Sequence, residues 1–532
     1  SFSLAAHALA ATNLPNSYRE AQNTGEWECW RKSMDEELAK MSKYKVWEVV
    51  DLDPKMRILK GRWVYTRKID GETGLPSTYK ARFVAKGYNQ VEGLDYNELF
   101  AAVAHKDSIQ VFLAIVNHFD LECDQVDIKA AFLNGELEET IYMQPPEGSN
   151  IPANKVLWLR KSLYGLKQSP RCFNKALDKW LQSQGLLPTK ADPCFYSKRE
   201  GDNILMLSVH VDDQLIACNN RTMLDNFKAA LNSEFECSDS GPVGYFLGFN
   251  IHRDRTNHKL FMSQEHYFES LLERFDLKDC NPAKTPLPSG FRPIPATDQE
   301  HEEAKHYPYA QAVGAILYAS TITRPDLAFP ASLLSRFLSK WNDSHWKAVK
   351  HLLRYIRGTS DLCLTFNKEN SSRIALGYAD ADWGGDLDTR RSTTGYVFKV
   401  YGGVVAWKSR RQPTVALSTT EAEYMASSDA TRQAVWLRQL LDDLGLGLGE
   451  EPLKLLNDNA ETIALAKNPV HHNKTKHIDL RHHYIREKVE DNTVSLGHVP
   501  SAENIADLLT KALPSDTFDR LRELLGVCGR SA

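Results

Sequence analysis

Three aspartates stand at the ends of hydrophobic segments, where an acidic side chain is out of place. Asp127 ends one such segment, and the pair Asp212-Asp213 lies between the segments 204–209 and 215–218. If the three carboxylates meet, they repel one another unless a hard cation such as Mg²⁺, which prefers carboxylate and phosphate oxygens, neutralises them. Two metals held in this way could activate a hydroxyl group and stabilise a leaving pyrophosphate. The Asp-Asp pair alone is equally consistent with a plain hairpin turn, where Asp is common.

Four further acids alternate between strands and helices in the last third of the chain. Asp380 ends an apolar strand, and Glu423 lies in the first turns of a later helix. Asp458 ends another strand, and Asp507 lies in a helix after it. A single acid in such a place is more often a helix cap or a surface residue. In this order, four carboxylates can meet at one edge of a sheet and bind the two metals of a nuclease site.

Composition limits the class of protein. The 532 residues predict roughly three to five domains. The 65 Lys and Arg residues against 69 Asp and Glu residues give a net charge of −4, which argues against a generally basic nucleic-acid coat but leaves local basic surfaces open. The content of 42% hydrophobic and 25% charged residues is typical of a soluble globular protein. Nine cysteines without a Cys-x-x-Cys pair favour a reducing compartment, and neither a signal peptide nor a membrane span is expected.

The elements around the first group of acids are of mixed type. Apolar residues at helical spacing predict an amphipathic helix over 27–41. Short strands follow to about residue 103, with a hairpin loop at Asp70-Gly71 and Thr73-Gly74, and helices and strands alternate over 105–285. A helix is predicted from Ser169, as its N-cap, to Gly185.

The elements around the second group of acids follow a linker. The proline-rich stretch 281–290, with the acidic residues to Glu303, is the clearest linker in the chain. A helical block extends to about Gly358, and strands resume from Arg373. A long helix then opens with the capping box Ser418-Thr-Thr-Glu421.

Five sequence motifs resemble the reverse transcriptases of copia-type LTR retrotransposons. They occur in the order and at the spacing of that family, and the resemblance covers residues from about 27 to 360. The stretches are Tyr79–Gly87 (YKARFVAKG), Gln125–Gly135 (QVDIKAAFLNG), Leu163–Arg171 (LYGLKQSPR), Val211–Asp213 (VDD) and Phe246–Gly248 (FLG).

The resemblance implies an α+β right-hand polymerase with fingers, palm and thumb. Asp127, Asp212 and Asp213 would be its metal-binding palm carboxylates, with the weakest claim for Asp213. Phe132 falls where these enzymes place a bulky ring that clashes with a ribose 2′-hydroxyl and so selects deoxynucleotides. The backbone N–H groups of the two preceding residues, Ala130 and Ala131, would then face the nucleoside triphosphate.

Other positions of the family correspond to contacts with nucleotide and primer. Tyr164 and Gly165 would lie behind the incoming nucleotide. Phe246, Leu247 and Gly248 would lie near the hairpin that grips the primer. The family commonly has Tyr before Val-Asp-Asp, whereas this chain has His210; we expect altered primer or nucleotide contact there rather than loss of catalysis.

The second group of acids resembles the α/β RNase H domain that follows reverse transcriptase in the same elements, over about 373–513. Glu421 and Asp382 are alternative candidates for two of the four ligand positions. Because Glu421 and Glu423 are two residues apart on a helix, they point about 200° apart, so only one can face the site. The resemblance favours Glu423, and it implies as metal ligands Asp380, Glu423, Asp458 and Asp507.

Two stretches rich in Lys and Arg, 55–86 and 155–179, could meet phosphates, although such stretches are usually solvated surface. Lys80 and Arg82 are the candidates for contact with the triphosphate, and the sequence leaves open which of them points inward. The histidine-rich segment 471–483 could suggest zinc, but no cysteine is near it. A loop that touches substrate, or plain surface, is the favoured interpretation.

The predicted organisation has four parts: an N-terminal lead and helix at 1–50, fingers and palm at 51–285, a thumb or connecting region at 286–372 and an RNase H domain at 373–532. The expected function is RNA- and DNA-templated DNA synthesis with cleavage of RNA in RNA–DNA hybrids. It needs two Mg²⁺ ions per active site, with Mn²⁺ as a substitute in vitro. The alternatives are a decayed or domesticated nucleic-acid-binding copy and a structural protein that uses the fold as a scaffold.

The expected partners follow from this function. They are RNA and DNA primer–templates, RNA–DNA hybrids, deoxynucleoside triphosphates, and the integrase or capsid of the same element, with no membrane. A protease or integrase, if the element encodes them, is expected upstream of residue 27. The expected location is the cytoplasm, inside virus-like particles.

Overall fold

A long amphipathic helix and two small sheets open the described chain. The computed structural model describes residues 14–69, 76–99, 101, 103–288, 290–368, 373–467 and 479–530. The helix predicted at 27–41 is confirmed as α2, and its residues Trp30, Met34 and Met41 are buried because they recur on one face. The elements of this part are α1 (Tyr18–Gln22), α2 (Trp27–Lys43), β1 (Trp47–Asp51), β2 (Ile58–Leu59), β3 (Gly61–Ile69) and β4 (Pro76–Ala85).

The strands β3 and β4 form an antiparallel pair that packs against α2. Their predicted connecting loop at Asp70-Gly71 and Thr73-Gly74 lies outside the described residues. The register places Trp63 opposite Phe83, and both side chains belong to the core that α2 covers. Since successive residues of a strand face opposite sides, the even-numbered residues of β4 lie on the side away from that core.

A six-stranded sheet forms the centre of the next part. Its strand order is β12-β5-β11-β10-β9-β8, and neighbouring strands are antiparallel; β6 and β7 instead join β1 and β2 in the order β1-β7-β6-β2. The elements are α3 (Lys106–His118), β5 (Glu122–Ile128), β6 (Glu136–Met143), β7 (Lys155–Lys161), α4 (Ser169–Ser183), β8 (Leu187–Pro188), β9 (Phe195–Glu200), β10 (Asn203–His210), β11 (Asp213–Cys218), α5 (Arg221–Glu234) and β12 (Cys237–Pro242).

The predicted helix from Ser169 is confirmed as α4, but its N-cap is wrong. The N-cap is Gln168, and Ser169 is the first helical residue. The Ser169 hydroxyl donates to the carbonyl oxygen of Leu163 at 2.5 Å, so it fastens the preceding loop instead of capping the helix. Phe173 and Leu177 face the core as the helical spacing predicts.

A five-stranded sheet and a block of helices follow the six-stranded sheet in the sequence. The sheet has the order β13-β14-β15-β16-β22, and its last strand, β22 (Val527–Cys528), comes from much later in the sequence. The helical block predicted to end at about Gly358 is confirmed. The elements are β13 (Tyr245–Phe246), β14 (Phe249–Asp254), β15 (Lys259–Ser263), α6 (Glu265–Arg274), α7 (Asp298–Ala304), α8 (Tyr309–Ile322), α9 (Ala328–Ser335), α10 (Asp343–Gly358) and β16 (Cys363–Asn367).

The predicted linker is irregular but not free. Residues 281–288 form neither helix nor strand, yet they are bonded to α10: Arg354 Nε donates to the carbonyl oxygen of Asn281 at 2.7 Å, and His351 Nε2 lies 2.9 Å from that of Thr285. The prediction that the linker extends to Glu303 is wrong. The acidic residues there form α7, because Thr297 and Glu300 make a capping box at its start.

The last part of the chain is a five-stranded sheet covered by helices. The sheet has the order β19-β18-β17-β20-β21, with β17 to β19 antiparallel and β17, β20 and β21 parallel. The predicted class, an α+β polymerase followed by an α/β RNase H-like unit, is confirmed. The elements are β17 (Ala375–Asp382), β18 (Thr393–Val400), β19 (Gly403–Arg411), α11 (Thr419–Asp443), β20 (Leu453–Asn457), α12 (Ala460–Lys467), α13 (Asp479–Glu490), β21 (Val494–His498), α14 (Ser515–Leu524) and β22 (Val527–Cys528).

The RNase H-like unit is docked on the rest of the molecule. One hydrophobic core continues from the palm through the helical block into this unit. Trp407 Nε1 donates to the carbonyl oxygen of Ser320 at 2.8 Å, and Trp436 Nε1 donates to that of Ala191 at 3.0 Å. The predicted boundaries at 285/286 and 372/373 remain predictions. No helix in the described part of the chain has both the length and the apolar character needed to span a bilayer.

Candidate active sites

The three aspartates of the first group lie at one end of the central sheet. Asp213 begins β11 and is paired in register with Asp127 of β5. Asp212 lies in the two-residue turn between β10 and β11, and its carbonyl oxygen accepts the Ile128 N–H at 2.8 Å. The strand pairing therefore brings Asp127 next to the pair Asp212-Asp213, which is far from it in sequence.

The turn that carries Asp212 has a strained backbone. Val211 has a φ of 59°, in the left-handed region that β-branched residues avoid. Such a conformation costs on the order of 1–3 kcal/mol and persists only where the surroundings fix it. Here the pairing of His210 with Asp213 and the hydrogen bond from Ile128 fix both ends of the turn. The backbone of Asp212 is consequently held in one place at the sheet edge.

Charge is concentrated at this edge. Burial raises the pKa of Asp213 to about 6, with help from the charges of Asp212 and Asp127. Burial and the charge of Asp212 also raise the pKa of Asp127, while Lys80 and Lys129 oppose that shift. Partly buried carboxylates that repel one another and offer only oxygen atoms form a donor set that suits a hard divalent cation.

Lys80 and Arg82 lie on the same face of β4, so both side chains point to the same side of the hairpin and the sequence question of which one points inward does not separate them. The two residues are separated by one, and side chains two apart in a strand share a face. The positive charge of Lys80 acts on Asp127, and the guanidinium carbon of Arg82 lies 5.3 Å from the centre of the Tyr164 ring. Both cations therefore lie on the side of the hairpin that faces the acids.

Phe132 and Tyr164 meet beside these cations. Their ring centres are 5.2 Å apart in an edge-to-face arrangement. Ala130 has a φ of 52° and turns the chain into the 3₁₀ helix that starts at Ala131, and the Ser162 hydroxyl donates to the carbonyl oxygen of Phe132. These contacts fix the position of the Phe132 ring.

Gly165 allows the loop after β7 to touch β4. Its φ is 90°, and a Cβ added there would lie 2.2 Å from the carbonyl oxygen of Ala85. The Ala85 N–H also donates to the carbonyl oxygen of Tyr164 at 2.8 Å. A larger residue at position 165 would push Tyr164 away from Arg82.

The turn between β13 and β14 lies near His210. Leu247 and Gly248 have φ values of 46° and 92°, and the Tyr318 hydroxyl donates to the Leu247 carbonyl oxygen at 3.3 Å. Leu247 and His210 line the same pocket, and burial lowers the pKa of His210. Phe246 is fully buried, so a primer contact made by this turn must come from its exposed neighbours and not from the Phe246 ring.

The second group of acids converges as well. One carboxylate oxygen from each of Asp380, Asp458 and Asp507 lies within 4.8 Å of the others. Among the described residues, this is the one group of three possible ligands that close together. Asp380 lies in β17, Asp458 directly follows the neighbouring parallel strand β20, and Asp507 comes from the 3₁₀ helix Ile505–Leu509.

Glu423 faces this group, whereas its two competitors do not. Glu423 Oε1 accepts the Ala381 N–H at 3.1 Å, and Oε2 accepts from Asn457 Nδ2 at 3.0 Å. Glu421 Oε2 instead accepts the Leu417 N–H at 2.7 Å, near the start of α11. Asp382 accepts the N–H of Thr393.

The electrostatics of Glu423 and Asp507 agree with this geometry. Burial raises the pKa of Glu423, and the charges of Asp380 and Asp458 add to the shift. Burial and the charge of Asp380 raise the pKa of Asp507 to about 7. Asp507 Oδ1 is buried and has no hydrogen-bond partner among the described residues. This arrangement of oxygen donors fits a divalent metal centre.

Two residues that sequence reasoning missed belong to this site. Lys511 Nζ lies 2.9 Å from Asp507 and 3.9 Å from Asp380, and the Thr510 hydroxyl donates to Asp380 Oδ2. The spacing of four residues between Asp507 and Lys511 is that of a helical ion pair, and it is the signal that could have found the lysine.

Two other predictions concern the basic stretch 155–179 and the histidine-rich segment 471–483. Basic residues of the stretch 155–179 are largely paired with acids, as in Arg160 with Glu48 and Arg171 with Glu98, so this stretch offers phosphates less charge than its sequence suggests. Residues 471–478 of the histidine-rich segment lie outside the described residues, and the interpretation of that segment stays a prediction.

Comparison with known proteins gives a consistent set of similarities. Residues 44–289 match the family model described as reverse transcriptase (RNA-dependent DNA polymerase). A retrovirus-related Pol polyprotein from transposon TNT 1-94 of Nicotiana tabacum is 41% identical over 520 residues, which cover 96% of this chain and 39% of that relative. The Pol polyprotein from transposon RE1 of Arabidopsis thaliana is 34% identical over 524 residues, covering 98% of this chain and 35% of the relative.

Two further similarities complete the comparison. A transposon Ty5-1 protein of Saccharomyces cerevisiae is 31% identical over 312 residues, which cover 58% of this chain and 100% of that relative. A solved foamy viral protease-reverse transcriptase in complex with double-stranded DNA aligns with a TM-score of 0.47 and 14% identity, covering 91% of this chain and 70% of that chain. The chain spans only 39% and 35% of the two Pol polyproteins, so it corresponds to part of their length.

Proposed function

Because this chain belongs to the reverse transcriptases of copia-type, retrovirus-related transposon Pol polyproteins, we propose that it copies RNA and DNA templates into DNA and cleaves the RNA of the resulting hybrid. The observation that carries the proposal is the meeting of Asp127, Asp212 and Asp213 at one end of the central sheet, where the charge of Lys80 acts on Asp127. The second acid centre, on a separate sheet, supports the second activity.

In the proposed polymerase site, each residue has a role that follows from its place. Asp127 and Asp212 would hold the metal ions, and Asp213 would complete the negative field. Lys80 and Arg82 would bind the triphosphate, for which a lysine point charge and the forked guanidinium are both suited. Bound divalent cations, Mg²⁺ or in vitro Mn²⁺, would activate the primer 3′-hydroxyl and offset the charge of the leaving pyrophosphate.

In the proposed nuclease site, Asp380, Glu423, Asp458 and Asp507 would hold the metal that activates water. Asn457 and the Ala381 N–H orient Glu423, so its carboxylate needs no rearrangement to act as a ligand. Lys511 offsets part of the negative charge of Asp507 and Asp380 and thereby keeps these acids close together. The substrate would be the RNA–DNA hybrid that the first site produces.

The remaining parts of the proposal concern context. We propose deoxynucleoside triphosphates and primed RNA or DNA as substrates, and the cytoplasm, within virus-like particles, as the location. Integrase or capsid of the same element would be protein partners. A decayed copy that binds nucleic acid without catalysis is the alternative, and the presence of all seven acids argues against it, because a drifting gene should lose some of them.

One assay tests the proposed function. The purified chain should incorporate a labelled deoxynucleotide on a primed RNA template in the presence of Mg²⁺, and chelation of the metal should stop incorporation. Absence of incorporation with both Mg²⁺ and Mn²⁺ would favour the catalytically inactive alternative.

The sugar selectivity of the polymerase site should depend on Phe132. We expect Phe132→Ala to reduce discrimination against ribonucleotides by about tenfold to a hundredfold, the range by which a hydrophobic pocket rejects an added hydroxyl. The measurement is the ratio of kcat/KM for a deoxynucleotide and the matching ribonucleotide. Phe132→Tyr, which keeps the ring, is the control and should retain the discrimination. Unchanged selectivity in Phe132→Ala would contradict the assigned role.

A further inference from the structure

Two cysteines lie opposite each other where β22 joins its sheet. Cys363 of β16 is paired in register with Cys528 of β22, and neither thiol is part of a disulfide. In the described sheets, this is the one register that places two cysteines opposite each other. Directly opposite residues of antiparallel strands have Cα atoms about 4.5–5.5 Å apart, which lies within the range of about 4.4–6.8 Å that a disulfide needs.

The two thiols also lie on the same face of the sheet. Cys528 Sγ is 3.3 Å from the hydroxyl oxygen of Thr365. Because Thr365 is two residues from Cys363 in β16, the two side chains share a face of that strand, and the Cys528 thiol lies on this face as well. The Arg530 guanidinium lies beside the Cys363 thiol and brings a positive charge to the pair.

The two sulfurs differ in a way that suits a stepwise reaction. Cys528 is partly exposed, so a small molecule can reach it, whereas Cys363 is fully buried. Burial raises the pKa of the Cys363 thiol, and Arg530 opposes that shift because its charge stabilises the thiolate, the form that attacks a disulfide. The Cys363 thiol makes only a weak hydrogen bond, to the carbonyl oxygen of Asp361 at 3.5 Å, so little is lost when it reacts.

We propose that Cys363 and Cys528 are a reversible disulfide site, oxidised by a small-molecule disulfide such as oxidised glutathione. The Cys528 thiolate attacks one sulfur of the oxidant, which releases one glutathione and leaves a mixed disulfide on Cys528. The Cys363 thiolate then attacks the Cys528 sulfur and expels the second glutathione. The two electrons and two protons that the protein thiols lose reduce the oxidant to two thiols, and an excess of thiol reverses both steps.

The disulfide would fasten a short strand at the edge of its sheet. β22 has two residues, and it closely follows α14, which packs on the 3₁₀ helix Ile505–Leu509 that carries Asp507. A disulfide restricts the unfolded chain, and the stabilisation is larger when the closed loop is long, as it is here between residues 363 and 528. We therefore expect the oxidised chain to resist heat better than the reduced chain.

The first test is a disulfide map of the full chain. The reduced protein is incubated natively with oxidised glutathione, raised in concentration until the exposed Cys29 is fully modified. Remaining thiols are then blocked with N-ethylmaleimide in denaturant, and the protein is digested without reduction. Mass spectrometry should find peptides joined through Cys363 and Cys528, and dithiothreitol should separate them. Recovery of both cysteines with N-ethylmaleimide, or of Cys528 with glutathione and no link, would overturn the inference.

The second test is thermal unfolding. Oxidised wild type should unfold about 5 °C or more above the reduced protein. Cys528→Ser should show no such difference, and Cys29→Ser, which changes an exposed cysteine outside the pair, is the matched control and should keep it. If Cys528→Ser kept the difference, the link would not be its cause and the inference would fail. Neither test needs enzymatic activity, so both stay decisive whether or not the proposed function holds.

Discussion

Asp212→Asn should abolish DNA synthesis and spare hybrid cleavage. Asp212 lies in a turn whose strained Val211 and backbone hydrogen bond fix it at the sheet edge, so an amide there removes a negative ligand without moving the turn. We expect a loss of at least about a thousandfold in the rate of incorporation, ~4 kcal/mol in the activation barrier. The measurement is single-nucleotide primer extension with Mg²⁺ on RNA and DNA templates.

The control for this change is Asp225→Asn. Asp225 is an exposed acid of the same part of the chain and pairs with Arg221 at 2.8 Å, so its loss changes the charge equally without touching the proposed site. Its extension rate should stay near that of wild type. Persistent incorporation by Asp212→Asn would show that the three palm acids are not the catalytic group, and loss of hybrid cleavage in this variant would show that the two sites are not independent.

Glu423→Gln should have the converse effect: DNA synthesis should continue, while hybrid cleavage should fall by at least about a thousandfold. Glu423 accepts hydrogen bonds at both carboxylate oxygens, from the Ala381 N–H and from Asn457 Nδ2. In Gln the NH₂ group replaces one of these oxygens, so it would face one of these two donors. The change also removes the charge that Asp380 and Asp458 disfavour, which offsets the cost of that donor–donor contact, so the thermal stability of the metal-free protein should change little. Cleavage of a labelled hybrid and a thermal unfolding curve measure the two effects.

Glu421→Gln is the matched control, since the two glutamates are neighbours on one helix. Glu421 points to the backbone of Leu417 instead of the acid centre, so its variant should keep most of the cleavage rate. If Glu423→Gln retained cleavage and Glu421→Gln lost it, the assignment of the helix ligand would have to be exchanged.

Much of both sites could be predicted from sequence, because acids at the ends of apolar strands signal a sheet edge before any partner is known. Asp127 and Asp213 are an example: each follows an apolar pattern, and the two strands that carry them are neighbours in one sheet. Lys80 and Arg82 show a different case, since the two-residue period of a strand already places them on one face.

The rest could not be predicted, because it depends on contacts between distant segments. Thr510 belongs to the acid centre because a short 3₁₀ helix, which has no strong periodic pattern, packs its hydroxyl against Asp380. The capping role of Ser169 was predicted from its residue type, but the loop at Leu163 takes its hydroxyl instead. The acids that pair with basic residues of the stretch 155–179 likewise come from other elements, such as Glu48 of β1.

The pairing of β16 with β22 determines how the RNase H-like unit is attached to the rest of the chain. The chain leaves the sheet β13-β14-β15-β16-β22 after β16 and re-enters it at β22, and these two strands are hydrogen-bonded neighbours, so the unit's entry and exit lie at the same edge of one sheet. A unit with adjacent ends can be removed or transplanted as an insertion. A short hairpin joining β16 directly to β22 would leave every other strand pair of the polymerase intact. Because Trp407 and Trp436 and a shared hydrophobic core join the unit to the helical block and the palm, such a removal would also expose apolar surface on the part that remains.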